Sequence, residues 1–354
     1  MCNRQRNSSR THEGGVILKR RRSRHGSPLR VAFFLTLTIV LLGVLYFGAQ
    51  WLDLSLQQPE TRGDHTQRYE YENLMELSGV TYRQRRDVTT ILLMGIDTAA
   101  ANVNIQDHRN GGQADFLRLI VIDDANKSIT QMPIDRDTMT PITVLGIMGN
   151  KSGVRTAQVS LAHGFGDGKA QSCELAVEAV SNLMFGIPID GYVAMNMDGI
   201  SALNDIVGGI AVTLEDDFSA LDPAMTKGTT LTLKGEQAEY YVRGRMSVGI
   251  GTNEARMTRQ ELYLSQLMDL LFEQVSKDKE FIGMLYDELL PYLTTNLSRG
   301  RMINEAWAAK DYRHTDVVMP IGDHKIGTDG FMQFWMDESA LKQNVIDLFY
   351  QRLK

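Results

Sequence analysis

Three carboxylates and five guanidiniums stand at the ends of apolar runs in this chain, and together their chemistry suits a diphosphate. Asp97 ends "TTILLMGID", Asp115 closes the glycine-bearing loop that finishes "GGQAD", and Arg136 and Asp137 follow "SITQMPID". Farther on, "YYVRGR" supplies Arg243 and Arg245, and "NEARMTRQ" supplies Arg256, Arg259 and Gln260 at the start of a helical pattern. Arg256 and Gln260 lie one helical turn apart, and the free N–H groups of a first turn already favour anions. A planar guanidinium grips phosphate oxygens through paired hydrogen bonds, while paired aspartates suit a hard cation such as Mg²⁺. Each residue taken alone has a plainer reading. An aspartate after a strand serves in a turn, and Arg243, Arg245 or Arg256 serves as solvated surface charge. His163 lacks metal-ligand spacing to another histidine and reads as structural. Lys169 and Asp167 sit in a glycine-rich turn without the spacing of a phosphate-binding P-loop.

Residues so far apart need a scaffold, and the pattern from residue 88 onward is α/β. "TTILLMGID", "FLRLIVID" and "SITQMPID" read as strands, the last two joined by the turn "DANK". All three are nearly continuous in apolar residues, which predicts a sheet covered by helices on both faces. Helical spacing over "KAQSCELAVEAVSNLMFG" puts Leu175, Val177, Val180, Leu183 and Met184 on one face, with Gly186 as the stop. A strand in "GYVAMNM", a short helix in "DGISALNDIVGG" and a strand in "IAVTLEDDF" continue the alternation. A long helix runs from Asn253 to about Val275, with Met257, Leu264, Leu267, Met268 and Leu271 at core spacing. Two further helices, a strand near "TDVVMPIG" and a terminal helix over "DESALKQNVIDLFYQRLK" complete the pattern. Open α/β sheets bind ligands at the carboxyl ends of their strands, where Asp97 and Arg136 fall.

The 354 residues suffice for a substantial core. Residues 1–30 hold nine Lys and Arg against Glu13, a charge of +8, which leaves 28 basic and 42 acidic residues and a net of −14 beyond them. That sign argues against nucleic acid as the main ligand, since duplex binding draws on a broad basic face. Residues 31–52, "VAFFLTLTIVLLGVLYFGAQWL", carry no charge and match the length of a membrane-spanning helix, with Tyr46 and Trp51 suited to the far interface. The basic tail predicts a cytoplasmic N-terminus and an extracytoplasmic main domain. A cleaved signal peptide would have a shorter apolar region and small residues at the cut. Residues 53–87 are polar and read as a stalk before a domain of 88–354. Cys2 and Cys173 lie on opposite sides of that segment, so no intrachain disulfide is expected.

The order of these segments resembles the LytR-CpsA-Psr family, extracytoplasmic enzymes thought to move glycopolymers from a polyprenyl-pyrophosphate carrier to peptidoglycan. "ILLMGID" is similar to the family's opening strand, and "QADFLRLIVIDDANKSITQMPIDRDT" to its Arg-Ser-Asp-Thr and Pro-Arg-Asp-Thr blocks, 21 residues apart from Asp115 to Arg136. "LKGEQAEYYVRGR" and "NEARMTRQ" resemble its later arginine blocks, and the likeness extends over roughly residues 88–349. The resemblance implies a mixed central β-sheet covered by helices on both faces, preceded by one transmembrane helix. It implies Mg²⁺ on Asp97 and Asp115, and the pyrophosphate or lipid head group on Arg136, Arg243, Arg245, Arg256, Arg259 and Gln260. Asp137 would orient the neighbouring arginines. Asp115, Arg136 and Asp137 become the candidate catalytic residues, and lipid-linked glycan, peptidoglycan and membrane lipid the partners. Several positions depart from the family pattern: Gln113 and Ala114 stand for Arg-Ser, Asp135 for proline, Gln158 and Ser160 for Lys and Asn, and Asn253 and Ala255 for Asp and Gly. These replacements leave open a protein that binds the carrier without turnover; pyrophosphate hydrolysis is a third reading.

Overall fold

The structure, a computed structural model, describes residues 73–98, 111–146, 149–244 and 253–353, all within one compact unit of Glu72–Lys354. The apolar run 31–52 and the first part of the expected stalk lie outside the described residues. Among the described residues, no helix is long and apolar enough to cross a membrane.

The second half of the expected stalk is part of the domain. It forms a hairpin of β1 (Leu74–Leu77) and β2 (Val80–Gln84), and Met75 is buried in the main core. Next come β3 (Val88–Ile96), β4 (Ala114–Asp123) and β5 (Ser128–Ile134). A further hairpin pairs β6 (Met139–Leu145) with β7 (Lys151–Gln158). Helices α1 (Leu161–Gly164) and α2 (Ala170–Leu183) lead to β8 (Gly191–Asn196) and α3 (Asp198–Ile206). A small ribbon of β9 (Ala211–Thr213) and β10 (Thr230–Thr232) precedes α4 (Glu236–Arg243), α5 (Asn253–Lys277) and α6 (Lys279–Leu289). The remainder is β11 (Leu293–Thr295), α7 (Arg299–Ala308), β12 (Arg313–His314), β13 (Gly322–Ile326), β14 (Met332–Met336), α8 (Glu338–Phe349) and β15 (Tyr350–Arg352). The strand expected near "TDVVMPIG" is β12, the two residues immediately before that segment. The backbone beyond it still follows β5, with Thr315 and Val318 donating to the carbonyls of Ile129 and Gln131.

The central sheet is mixed, in the order β11-β8-β3-β4-β5-β12. β3 runs antiparallel to β4 and parallel to β8, and β4 runs antiparallel to β5. Alternation along each strand sends the two sets of side chains to opposite faces. On one face Leu92, Met94, Leu117, Leu119 and Met132 pack against Ala176 and Val180 of α2 and Val345 and Ile346 of α8. The other face is also faced by a helix, but across a cavity. Ile91, Leu93, Phe116, Ile120 and Val193 line a cavity of about 1900 Å³, whose lining also includes Leu264, Leu267, Met268 and Leu271 of α5. Of those α5 residues, all expected at core spacing, Leu267 and Leu271 also pack in a core cluster with Phe218 and Leu233, whereas Leu264 and Met268 line the cavity without belonging to a core cluster among the described residues.

Local signals set the boundaries. Asp167 receives the N–H groups of Lys169 and Ser172 at the start of α2, so the glycine-rich turn is a helix cap. Gly186, at φ +83°, follows the end of that helix as expected. His163 is buried and its Nδ1 lies 3.0 Å from the Gly112 carbonyl, in keeping with a structural role.

The turn between β2 and β3 is tied to the end of β4 by Arg85, whose guanidinium meets both Asp123 carboxylate oxygens at 2.6 Å. Burial would raise the Asp123 carboxyl, but the bonds from Arg85 and Asn126 outweigh it and bring the group down to about 2. A depressed carboxyl lends stability above its unfolded value of roughly 3.9, and that stability is lost as pH falls toward 2. Arg85→Ala should cost about 2–3 kcal/mol at neutral pH. It should also flatten the decline of the urea midpoint between pH 5 and 2. An unchanged acid slope would show that the pair does not couple folding to protonation.

Candidate functional site

The antiparallel pairing of β3 with β4 and of β4 with β5 brings one end of each strand to a common edge. Ile96 stands opposite Ala114, and Leu117 opposite Ile134. Asp97, Gln113, Asp115 and the segment Asp135–Asp137 therefore meet there, although the chain separates them. Asp97 and Gln113 lock the loop reciprocally: Asp97 N–H donates to the Gln113 carbonyl at 3.0 Å, and Gln113 N–H donates to Asp97 Oδ1 at 2.6 Å. Gly112 makes that closure possible. Its φ is +74°, and a Cβ there would lie 2.5 Å from Thr98 Cγ2.

Arg136 is the hub of this edge. One Nη donates to Asp115 Oδ1, the other donates to Gln113 Oε1 at 2.7 Å, and Nε lies 3.5 Å from Asp137 Oδ1. A third of its side chain remains exposed, and Arg136, Asp115, Asp137 and Gln113 all line the large cavity. Asp135 braces the turn from behind, accepting the Asp137 N–H at 2.8 Å and contacting His324 Nε2 at 2.9 Å. Two of the departures from the family pattern are thus accounted for: Gln113 holds the arginine and Asp135 holds a histidine. A third, Gln158, donates to the Met332 carbonyl at 3.0 Å. The Ser160 hydroxyl is buried without a hydrogen-bond partner.

Burial pushes the Asp137 carboxyl above its ordinary value; Arg136 opposes the shift, Asp135 reinforces it and His324 opposes it. Titration followed by carboxyl-carbon NMR should place Asp137 above the usual ~3.9. Asp135→Asn should lower that midpoint by removing a like charge, and Arg136→Gln should raise it further. Movement in the opposite directions would refute this electrostatic account.

The remaining anion-binding candidates divide. Gln260 lines the cavity, with its amide nitrogen 3.2 Å from the Val242 carbonyl. Arg243 pairs with Glu239 one turn back on α4. Arg259 is buried at 7 % exposure, where it donates to Asp216 at 2.7 Å and to the carbonyls of Tyr241 and Gly244, 5.3 Å from the centre of the Phe218 ring. A buried cation seeks such acceptors because desolvation leaves no alternative. Arg259 therefore fastens the end of α4 to the neighbouring loop. Arg245 and the side chain of Arg256 lie outside the described residues.

Two cations that the sequence reading passed over belong to the cavity lining. Arg155 of β7 lies over Phe165 at 5.1 Å, and Arg118 of β4 is buried within the sheet's cavity face. The signal for Arg118 was present as the single cation inside "FLRLIVID".

Among the described residues, no group of three or more His, Cys, Asp or Glu gathers as a metal cluster. Asp97 and Asp115 instead flank Gln113. Mg²⁺ is commonly held by one or two carboxylates, with water and substrate phosphates completing its shell. Here Asp97 Oδ1 accepts the Gln113 N–H and Asp115 Oδ1 accepts from Arg136, and of the two carboxylates Asp115 lines the cavity.

The model of the LytR_cpsA_psr family matches residues 54–347. The chain is 27% identical over 253 residues to Biofilm regulatory protein A of Streptococcus mutans, covering 68% of this chain and only 57% of that relative. It is 25% identical over 267 residues to the polyisoprenyl-teichoic acid–peptidoglycan teichoic acid transferase TagU of Halalkalibacterium halodurans, covering 70% of this chain and 78% of the other. The fold is similar to that of Bacillus subtilis TagV, with a TM-score of 0.54 at 22% identity over 74% of this chain and 97% of that one. A mixed sheet with a charged edge, a family match over most of its length and the sequence blocks around Asp115 and Arg136 agree: the chain belongs to the LytR-CpsA-Psr family.

Proposed function

We propose that this protein transfers a glycopolymer from a polyprenyl-pyrophosphate carrier to peptidoglycan at the outer face of the cell membrane, held there by residues 31–52 with the N-terminus in the cytoplasm. The observation that carries this reading is a single cavity with two chemistries. Its walls are apolar side chains of the sheet and α5, and its lining also holds Arg136, Asp115 and Asp137. At about 1900 Å³ it exceeds the ~300–1,000 Å³ of an ordinary small-ligand pocket. A long apolar tail joined to an anionic head matches that lining. Relatives named as transferases of polyisoprenyl-linked teichoic acid support the same substrate class.

In this reading a sugar hydroxyl of the acceptor attacks the phosphorus nearest the glycan. The new phosphorus–oxygen bond forms as the bond to the bridging oxygen breaks, and polyprenyl phosphate leaves. Arg136 presents its guanidinium to the oxygens that gain charge, the contribution expected of a fixed cation in a partly dry site. Asp115 is committed to Arg136, so Asp137, half-buried and raised in pKa, is the better placed of the two to take the hydroxyl proton. Asp97 and Asp115 would hold Mg²⁺, which supplies neutralising charge to the diphosphate when bound. Gln260 would add a neutral donor.

The test is to incubate the full-length chain in detergent with a labelled polyprenyl-pyrophosphate glycan and peptidoglycan fragments, with and without Mg²⁺. The proposal expects label on peptidoglycan for the wild type and none for Asp115→Ala. Release of label to water would identify a hydrolase, and tight binding without turnover a carrier-binding protein; either result overturns the transferase reading.

A further inference from the structure

We propose that Arg118 is a second phosphate-binding residue of this cavity, taking the phosphate esterified to the lipid chain while Arg136 meets the glycan side of the diphosphate. The inference rests on the transferase reading and deepens it by assigning the leaving phosphate a partner.

Arg118 is out of place in its surroundings. It lies on β4 between Phe116 and Ile120, on the cavity face of the sheet, opposite Leu93 of β3 and Pro133 of β5. Only 4 % of it is exposed. A guanidinium so buried normally satisfies every N–H, because an unpaired buried donor is costly. Arg118 does not. One Nη donates to Gln131 Oε1 at 2.9 Å and the other to Glu261 Oε2 at 2.8 Å, while Nε is buried without a partner.

The geometry of that shortfall is informative. Nε and the Nη bound to Glu261 form one edge of the guanidinium, the edge that a carboxylate or phosphate fills with two parallel hydrogen bonds. Here Glu261 occupies half of it. The Glu261 side chain is 59% exposed, so its carboxylate can be rehydrated when it turns away, while an entering phosphate supplies the negative charge that the buried guanidinium then needs. Gln131 and the Phe116 ring, 5.6 Å from the guanidinium carbon, remain to hold the plane in position. A phosphate entering the cavity thus finds an oriented fork whose present partner is an exposed carboxylate that it can replace.

Position agrees with chemistry. Three residues of strand, about 10 Å, separate Arg118 from Asp115, and both line the same cavity. The Asp115–Arg136 edge would meet the glycan-side phosphate, and Arg118 the one nearer the apolar walls. When the bridging bond breaks, its electron pair stays on the oxygen of the lipid-side phosphate, and the acceptor's proton passes to the carboxylate base. Arg118 would stand beside the charge that develops there.

A purely structural bolt between β4 and α5 is the competing account, and binding separates the two. The full-length chain in detergent is titrated with farnesol, farnesyl monophosphate and farnesyl pyrophosphate. Arg118→Leu should weaken both phosphates by about 10- to 100-fold and leave farnesol unchanged, because the lost bonds are charge-assisted and exist only to phosphate. Arg118→Lys keeps the charge without the fork and should fall between the two. Glu261→Gln removes the competing carboxylate and should tighten both phosphates. Wild-type affinity for farnesyl monophosphate in Arg118→Leu, or a parallel loss of farnesol, would overturn the assignment while the transferase reading stands. If the leucine variant does not fold, the Glu261→Gln arm decides, and unchanged affinity there overturns it. A wild type that binds farnesol as tightly as either phosphate would overturn both.

Discussion

Arg136→Ala should leave the fold standing and lower the rate of glycan transfer by about 10²- to 10³-fold, the usual cost of removing one fixed donor from developing charge. The residue joins β5 to the Asp97–Asp115 edge through Asp115, Gln113 and Asp137, yet it lies at the cavity lining with a third of its side chain in contact with solvent. Its removal therefore breaks no packed core. Two consequences reach beyond lost contact with substrate. Asp115 and Asp137 lose the cation between them, so a diphosphate would meet two carboxylates with less to offset them. Asp137 would also be pushed further toward its protonated form, since Arg136 is the main force holding it down. Arg136→Lys, a point charge in place of a fork, should recover only part of the rate. The check is kcat/KM in the transfer assay beside a thermal melt. An alanine variant that melts and transfers as the wild type does would remove Arg136 from the site.

Leu93→Trp should have the second large effect, on the lipid and not on chemistry at the edge. Leu93 lies near the middle of β3, between Arg118 and Val193 across the sheet, and its side chain lines the cavity. An indole there fills space that a polyprenyl chain would otherwise enter, with each excluded methylene worth about 0.8 kcal/mol. Displacing even three or four groups should weaken a long-chain polyprenyl phosphate by about two orders of magnitude. The substituted side chain gains apolar burial, so the melting temperature should not fall. Retained affinity for the long-chain phosphate would mean that the apolar cavity is not where the tail resides.

Legibility in the sequence followed how local each cause is. β3, β4 and β5 were readable because their apolar runs end in aspartates or a short turn, and α2 because its buried face repeats at helical spacing before Gly186. The hairpin of β6 and β7 was not, since "KSGVRTAQ" is almost wholly exposed and Pro141 interrupts its partner. Nor were β1 and β2, whose third strand lies at the other end of the described chain. At the site, the strand ends pointed to Asp97 and Arg136, and the 21-residue spacing of the family-like blocks added Asp115. The fate of Arg259 was not legible, because nothing near "MTRQ" reveals that Asp216 and Phe218 will enclose it. The reading of residues 31–52 as a membrane helix lies outside the described residues.

The pairing of β15 with β2 has a consequence for biogenesis. Tyr350–Arg352 lie alongside Tyr82–Gln84, and Leu353 N–H reaches the Thr81 carbonyl. During vectorial synthesis the hairpin that leads into the domain emerges early and must wait for nearly all the remaining residues to appear. Until then it is a two-stranded ribbon, marginal by itself, with an open edge available to other chains. Ribosome-bound intermediates should therefore remain protease-sensitive around residues 74–84 long after the central strands have been translated.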